Sequence, residues 1–390
     1  MAIDLKIEKI AYGGDGIGFV DGKACFVAGV LPGERVRVEV TQEKKDFIRA
    51  RVAEVLDASA SRVSAPCPYF STCGGCQYQM MAYDEELRVK EAQVREALSR
   101  LPDADKTVFR PIVASAKDYR YRNSVTLHAT AGAGNKAQRL GFVTVDNVTK
   151  IAVQDCLLVD ERLHGAFVEK FTLRGVDRVT FKLSVSGEGL TDLDEKFFRV
   201  SVGGQDFVAA SRGFFQNNLD VTQKAAGVVT AWVRAFRPLN FYDLYAGVGV
   251  FSFLCAGEVE NVICVEESKP SVEALRMNKS ERRRLRLEVF EGRVEKIFPV
   301  LWKKEKKERA MLFLDPPRQG LAFGFSRFLA SERGIGAIGY LSCDLATLAR
   351  DLKILLSEGA YALEEVVPLD MFPRTKHIEA AVLLKGTGAC

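Results

Sequence analysis

Along the first sixty residues, apolar and polar positions alternate in short runs, KIEKI, GFV, KACFVAG, RVRVEV and ARVAEVL, separated by GGDGIG, DG and LPGE. Period-two alternation between turn-forming clusters predicts strands, and five of them in so short a span suit a small barrel of the oligonucleotide-binding type. In YDEELRVKEAQVREALSRL the apolar residues Leu87, Val94, Leu98 and Leu101 share one helical face. Asp84 is placed to cap that helix, Glu85 and Glu86 suit its first turn, and Pro102 closes it. From 110 to about 212 the pattern is mostly strands and turns (SVTLHA, RLGFVTV, KIAVQDC, VTFKLSVSG, FFRVSVGG, DFVAAS). From about 214 to the end, helical and strand patterns alternate, which predicts a doubly wound parallel sheet. The expected architecture is multidomain α/β, with an N-terminal barrel over 1–60, a central mainly β domain over 61–212 and a Rossmann-like domain over 213–390.

Composition narrows the picture. The 390 residues are 47% hydrophobic and 27% charged, as in a globular chain long enough for two or three cores. No apolar run approaches the ~18 residues of a membrane span, and MAIDLKIEKI lacks the apolar stretch of a signal peptide. A cytoplasmic protein with no membrane partner is expected. The net charge of +4 does not by itself require a nucleic-acid partner. Three of the nine cysteines crowd into CPYFSTCGGC at 67–76. A reducing compartment keeps thiols unpaired, so such crowding points to metal or catalysis.

Candidate chemistry gathers in the last third of the chain. In FYDLYAGVGVFSF an apolar strand runs into a turn with Gly247 and Gly249, where backbone can approach a ligand. Glu266 ends the next strand, nineteen residues after Gly247, a spacing that suits hydrogen bonds from ribose hydroxyls. The third Gly of a dinucleotide fingerprint is absent, which favours a single nucleoside such as S-adenosylmethionine over NAD. AMLFLDPPRQGL stops a strand at Asp315, and Pro316 and Pro317 offer carbonyls but no amide donors. IGAIGYLSCDLATLARDL puts Cys343 where another strand meets a helix, and a helix N-terminus is expected to lower a thiol pKa from ~8.5. DMFPRTKHIEAAVLL reads as a final edge strand opened by His377, Ile378 and Glu379. KDYRYRNSV mixes Lys117, Arg120 and Arg122 with Tyr119 and Tyr121, which suits contact with single-stranded RNA or, equally, a polar strand edge.

Seven ordered segments, CPYFSTCGGCQYQ, SRGFFQNN, DLYAGVGVF, VEES, LDPPRQGL, LSCDLATLARDL and FPRTKHIEAAVLL, resemble the RNA 5-methyluridine (uracil-C5) methyltransferase family, and residues 1–60 resemble a TRAM domain. The likeness covers nearly the whole chain and is greatest to the enzymes of 23S rRNA, with tRNA enzymes the neighbouring class. It implies an RNA-binding monomer that takes S-adenosylmethionine and methylates uracil C5. The implied nucleophile is Cys343, with Glu379 as proton acceptor and Asp315 on the uracil edge. Gln216, Tyr245, Gly247, Gly249, Val250, Glu266 and Asp315 match cofactor-binding positions. Val250 departs from the small polar residue common after the second Gly, and Leu345 from a common Pro. The resemblance also implies a 4Fe-4S cluster on Cys67, Cys73, Cys76 and the distant Cys156. Thiolates at such spacing suit iron–sulfur ligation, with a four-thiolate zinc site as the rival. Rival functions are an RNA 5-methylcytosine methyltransferase, which would carry a second cysteine where Pro317 stands, a non-catalytic iron–sulfur RNA-binding protein, and a small-molecule methyltransferase.

Overall fold

The computed structural model describes residues 2–130, 136–173, 175–255, 257, 259–282, 285–304 and 308–388. The N-terminal runs form one six-stranded sheet, Ala2–Lys6, Lys9–Ile10, Gly16–Val20, Lys23–Val27, Arg35–Glu43 and Phe47–Asp57. There are six strands where alternation predicts five, because KIEKI is divided. Ile7 N donates to Glu34 O and Glu8 N to Ile17 O, so the chain changes partners between the first two strands. Leu5, Ile7, Cys25, Val27, Val36 and Val38 fill the interior of this unit. At Gly18 an added Cβ would stand 2.3 Å from Lys6 O, so only glycine permits that crossing.

The expected helix runs Tyr83–Leu98, starting after Ala82, with Asp84 inside the first turn and paired to Arg88 rather than capping. It packs on two neighbours at once. Val89 meets Ile10, Leu31, Tyr78, Met80 and Met81, whereas Val94 and Leu98, with Leu101, enter the core beneath the C-terminal sheet. Its third face is polar yet buried. Lys90, wholly inaccessible, lies 2.8 Å from Glu86 and 2.6 Å from Asp370, and donates to Phe372 O. Arg374 adds to this knot. Its backbone N donates to Glu86 Oε1 at 2.7 Å and its guanidinium to Met81 O and Asp118.

A five-stranded antiparallel sheet (Lys150–Ala152, Leu140–Val143, Ser124–Ala129, Arg178–Leu183, Gly189–Thr191) encloses its own core, including Leu127, Leu140, Phe167 and Val179. The hairpin Phe197–Val202 and Gln205–Ala210 instead packs into the core around helix Leu219–Phe236. KDYRYRNSV is mostly spent inside the protein. Arg120 holds Asp155 and the carbonyls of Cys156 and Val159, Tyr121 is buried and donates to Pro373 O, and Tyr119 lies under Arg374. Alternation of charge and aromaticity is shared by stacking surfaces and braced interiors, and these partners lie far away in sequence.

The C-terminal region is built on an eight-stranded sheet, in spatial order Leu287–Glu291, Asn261–Glu266, Asn240–Leu244, Ala310–Leu314, Ile335–Ser342, Glu379–Gly386, Tyr361–Leu369, Val108–Phe109. The first five are parallel, and Glu379–Gly386 lies antiparallel between two neighbours. The last strand is therefore interior, not the expected edge. HIEAAVLL is apolar on both faces, as a central strand requires, and Val108–Phe109, from far upstream, pairs beyond Tyr361–Leu369.

Replacing Lys90 by Met leaves Glu86 and Asp370 buried without their cation. The expected loss is about 3–5 kcal/mol of unfolding free energy, read by denaturant titration. A loss under about 1 kcal/mol would show that the knot does not hold the fold together.

Candidate active site

Open α/β sheets bind ligands outside the carboxyl ends of the strands, where strand order reverses. Here that point lies between Asn240–Leu244 and Ala310–Leu314, since the chain runs outward to Leu287–Glu291 before crossing back. Tyr245, Gly247 and Gly249 follow the first of these strands, Glu266 ends its neighbour, Asp315 follows Ala310–Leu314, and Cys343 follows Ile335–Ser342. Glu379 arrives from the opposite direction, as the first residue of the antiparallel strand.

The Gly turn is tight. Tyr245 takes a left-handed φ of 68°, and its N and that of Ala246 both donate to Val265 O. Gly247 (φ 56°) faces open space, with nothing within 4 Å of an added Cβ. Gly249 serves packing, because a Cβ there would stand 2.5 Å from Leu275 Cδ1. Glu266 accepts from Gly247 N at 2.9 Å and from Ser268 N at 2.7 Å. Each carboxylate oxygen keeps a further lone pair, so Glu266 can still receive ribose hydroxyls. Gln216, in the segment before helix Leu219–Phe236, donates to Asp315 Oδ2 at 3.4 Å. Tyr245 donates its hydroxyl to Glu295 Oε1 at 3.0 Å. These residues fit an adenosine-containing cofactor: an open glycine turn, an acid at its flank and polar groups along the mouth. Val250 is the exception, for its side chain is buried in the hydrophobic core.

Two acids and a thiol share the other side of the mouth. Glu379 is buried, its Oε2 has no hydrogen-bond partner, and burial pushes its pKa up to about 7 against the pull of Arg318. Asp315 is also raised, by burial and then by the charge of Glu379. Cys343 corrects the expectation from its helix. Burial first, then Glu379 and Asp315, push its thiol up to about 11. The helix Leu345–Leu356 offers little to offset this, because its N-cap Asp344 puts a carboxylate at that end and accepts from Thr347 N at 2.9 Å. A desolvated thiol beside an unpaired base is suited to adding to an electrophile while the base moves a proton.

Cys67, Cys73, Cys76 and Cys156 line one cavity of about 40 Å³, walled by Tyr69, Phe70, Phe142, Val153 and Leu158. None forms a disulfide. Arg122 lines the same cavity, and no carboxylate among the described residues pairs with it. A cation facing four thiols in an apolar pocket fits an anionic cluster with thiolate ligands. Among the described residues, no three His, Cys, Asp or Glu close tightly enough to hold a single metal ion.

Sequence reasoning missed Arg318, although it sits in DPPR beside Asp315, and Arg122 as part of the thiol cavity. It also missed Tyr12, whose hydroxyl reaches Asp344 Oδ2 at 3.1 Å from more than three hundred positions away.

Residues 192–387 match the tRNA (Uracil-5-)-methyltransferase family, and residues 2–53 match the TRAM domain. A tRNA (uracil(54)-C(5))-methyltransferase of Schizosaccharomyces pombe is 30% identical over 98% of this chain and 78% of its own length. An uncharacterized RNA methyltransferase of Bdellovibrio bacteriovorus is 31% identical over 98% of this chain and 95% of its own. In fold, the chain is similar to the Pyrococcus abyssi tRNA (uracil-54, C5)-methyltransferase solved with S-adenosyl-L-homocysteine, at a TM-score of 0.71, 22% identity and coverage of 98% and 99%. With half its length and its N-terminal sheet matched, this chain belongs to the S-adenosylmethionine-dependent RNA uracil-5-methyltransferase family and carries a TRAM domain.

Proposed function

We propose that this protein methylates C5 of a specific uridine in 23S rRNA, with Cys343 as nucleophile and Glu379 as proton acceptor. One observation carries the assignment of roles: a desolvated thiol and a buried carboxylate with a free oxygen share one mouth. The Gly turn and Glu266 would hold S-adenosylmethionine, which would supply an electrophilic methyl group and leave as S-adenosylhomocysteine. The Cys343 thiol gives up its proton to solvent, and the thiolate adds to uracil C6 and makes C5 nucleophilic. Asp315, with Gln216 beside it, holds the uracil edge. After C5 has gained its methyl group, Glu379 Oε2 takes the C5 proton and the C6–sulfur bond breaks, returning the thiolate. The flipped base costs a few kcal/mol to unstack, less when it comes from a loop. Pro317, where the cytosine enzymes would carry a second cysteine, favours uracil over cytosine.

We assign the four thiols to a 4Fe-4S cluster that braces the central sheet, with Arg122 as its counter-charge. The domain limits 1–60, 61–212 and 213–390, a monomeric state and a cytoplasmic location belong to the same reading. The eight described cysteines are all unpaired, in keeping with a reducing compartment. A tRNA target is the second reading, favoured by the printed activity of the S. pombe relative, which covers this chain's TRAM segment as well. Mapping 5-methyluridine in RNA from cells lacking the protein separates them. Loss from 23S rRNA supports the first, loss from tRNA replaces it with the second, and loss from neither removes both.

Glu379→Gln is expected to accumulate a covalent RNA adduct while turnover falls by about a hundredfold or more, read by denaturing gel and methyl transfer. Full turnover without an adduct removes Glu379 from this role. The rate under subsaturating conditions should rise with pH. Glu379 must be ionised, so below about 7 the rate falls by about tenfold per unit, and the growing thiolate fraction of Cys343 extends the rise above neutrality. A profile flat from pH 6 to 8 contradicts both assignments. Anaerobically purified protein should carry about four irons per chain and a brown absorbance. Cys156→Ser should lose both, and full iron content in that variant excludes Cys156 as a ligand.

A further inference from the structure

The turn Ala11–Asp15 of the N-terminal sheet reaches across the molecule and touches both elements that flank the methylation site. Tyr12 donates its hydroxyl to Asp344 Oδ2 at 3.1 Å and accepts from Leu345 N at 3.3 Å. Two residues on, an added Cβ at Gly14 would stand 3.3 Å from Lys376 Cβ and 3.4 Å from Gln77 Cγ, so the turn also lies on the segment leading to Glu379. The turn is fastened behind by Gln93, whose side-chain amide donates to Ala11 O at 2.9 Å.

The consequence lies at the start of helix Leu345–Leu356. The first amides of a helix have no partner within it. Asp344 satisfies one through Oδ1, which accepts from Thr347 N at 2.9 Å. The first helical amide, that of Leu345, is satisfied by a phenol from another part of the chain, and the same phenol fixes the second oxygen of Asp344. Ser342 Oγ completes the ring by donating to Asp344 O at 3.1 Å. Cys343 stands between Ser342 and Asp344, so its backbone orientation is set by this ring. Remove the phenol oxygen and Leu345 N loses its acceptor, while Asp344 is free to rotate about its remaining bond.

We propose that Tyr12 is a positioning residue for Cys343, through which the TRAM domain completes the methylation site. It acts on Asp344 and Leu345 and does not touch substrate. RNA held on the N-terminal sheet is thereby linked to alignment of the nucleophile, and the two halves of the protein cannot be separated without loss of rate. The inference rests on Cys343 as nucleophile.

The test is the rate of covalent adduct formation with 5-fluorouracil-substituted RNA, measured with the full chain. Wild-type protein, Tyr12→Phe, Asp344→Asn and the double variant are compared, with Cys343→Ser as a blank. Phenylalanine keeps the ring, and asparagine is as good an N-cap as aspartate, so all variants should fold. Tyr12→Phe should form adduct and turn over about tenfold more slowly, with KM for RNA and the thermal midpoint within about twofold and 2 °C of wild type. Losses in the double variant should fall well short of the product of the single losses, because both act on one ring. Wild-type rates in Tyr12→Phe, a rise in KM alone, or losses that multiply overturn the inference while leaving the nucleophile intact. Absence of adduct in the wild type, or adduct in Cys343→Ser, overturns the nucleophile and the inference with it.

Discussion

A single ammonium group with no access to water organises this molecule. Lys90 cannot keep its charge inside a protein unless anions meet it there, and Glu86 and Asp370 do so from the same helix and from the far end of the chain. Asp370 also accepts from Tyr83, and Glu86 also holds the backbone of Arg374. Arg374 sits at a left-handed φ of 66°, a conformation that its neighbours must enforce. The knot thus determines where the segment 370–378 runs, and Glu379 begins directly after it. The cysteine segment is tied to the same place, since Gln77 N and Tyr78 N both donate to Arg374 O and Gln77 Oε1 accepts from Lys376 N.

At the mouth of the sheet the same burial acts chemically. Carboxylates that would be ionised in water are driven toward their neutral forms, and each charge that remains opposes the next. Glu379 raises Asp315, both acids raise Cys343, and Arg318 works in the other direction on Glu379 and Cys343. A base with a pKa near neutrality is the type suited to moving a proton at physiological pH. A thiol kept neutral by burial is also less prone to oxidation, which follows thiolate character.

The thiol cavity and the N-terminal sheet meet the methyltransferase core at its rim. Arg122 points the charge of the central sheet at the thiols and lays its guanidinium within 5.8 Å of the Phe372 ring, in the segment leading to Glu379. Tyr12 brings the TRAM domain to the helix beginning after Cys343. The three parts are therefore joined through short polar contacts near one mouth as well as by apolar packing, and each contact spans a long stretch of chain.

Much was legible in the linear order. Local alternation is a short-range property of pleated backbone, so the N-terminal strands, the Tyr83–Leu98 helix and the βα pattern of the last third could be read from their periods. Glycine, proline and acid at strand ends marked Gly247, Glu266, Asp315 and Cys343, because an open sheet delivers all its carboxyl ends to one side. Three matters escaped. KIEKI was divided by its neighbours Glu34 and Ile17, HIEAAVLL became an interior strand because Tyr361–Leu369 pairs along its outer side, and KDYRYRNSV turned inward to Asp155, Pro373 and Arg374. The Cys343 thiol moved opposite to what its helix position suggested, since desolvation and two acids outweigh a capped helix end. The sequence by itself determined which residue types stand at each strand end. Tertiary structure alone decided which charges share a desolvated space, because Coulomb energy and burial depend on distance through the fold and not along the chain.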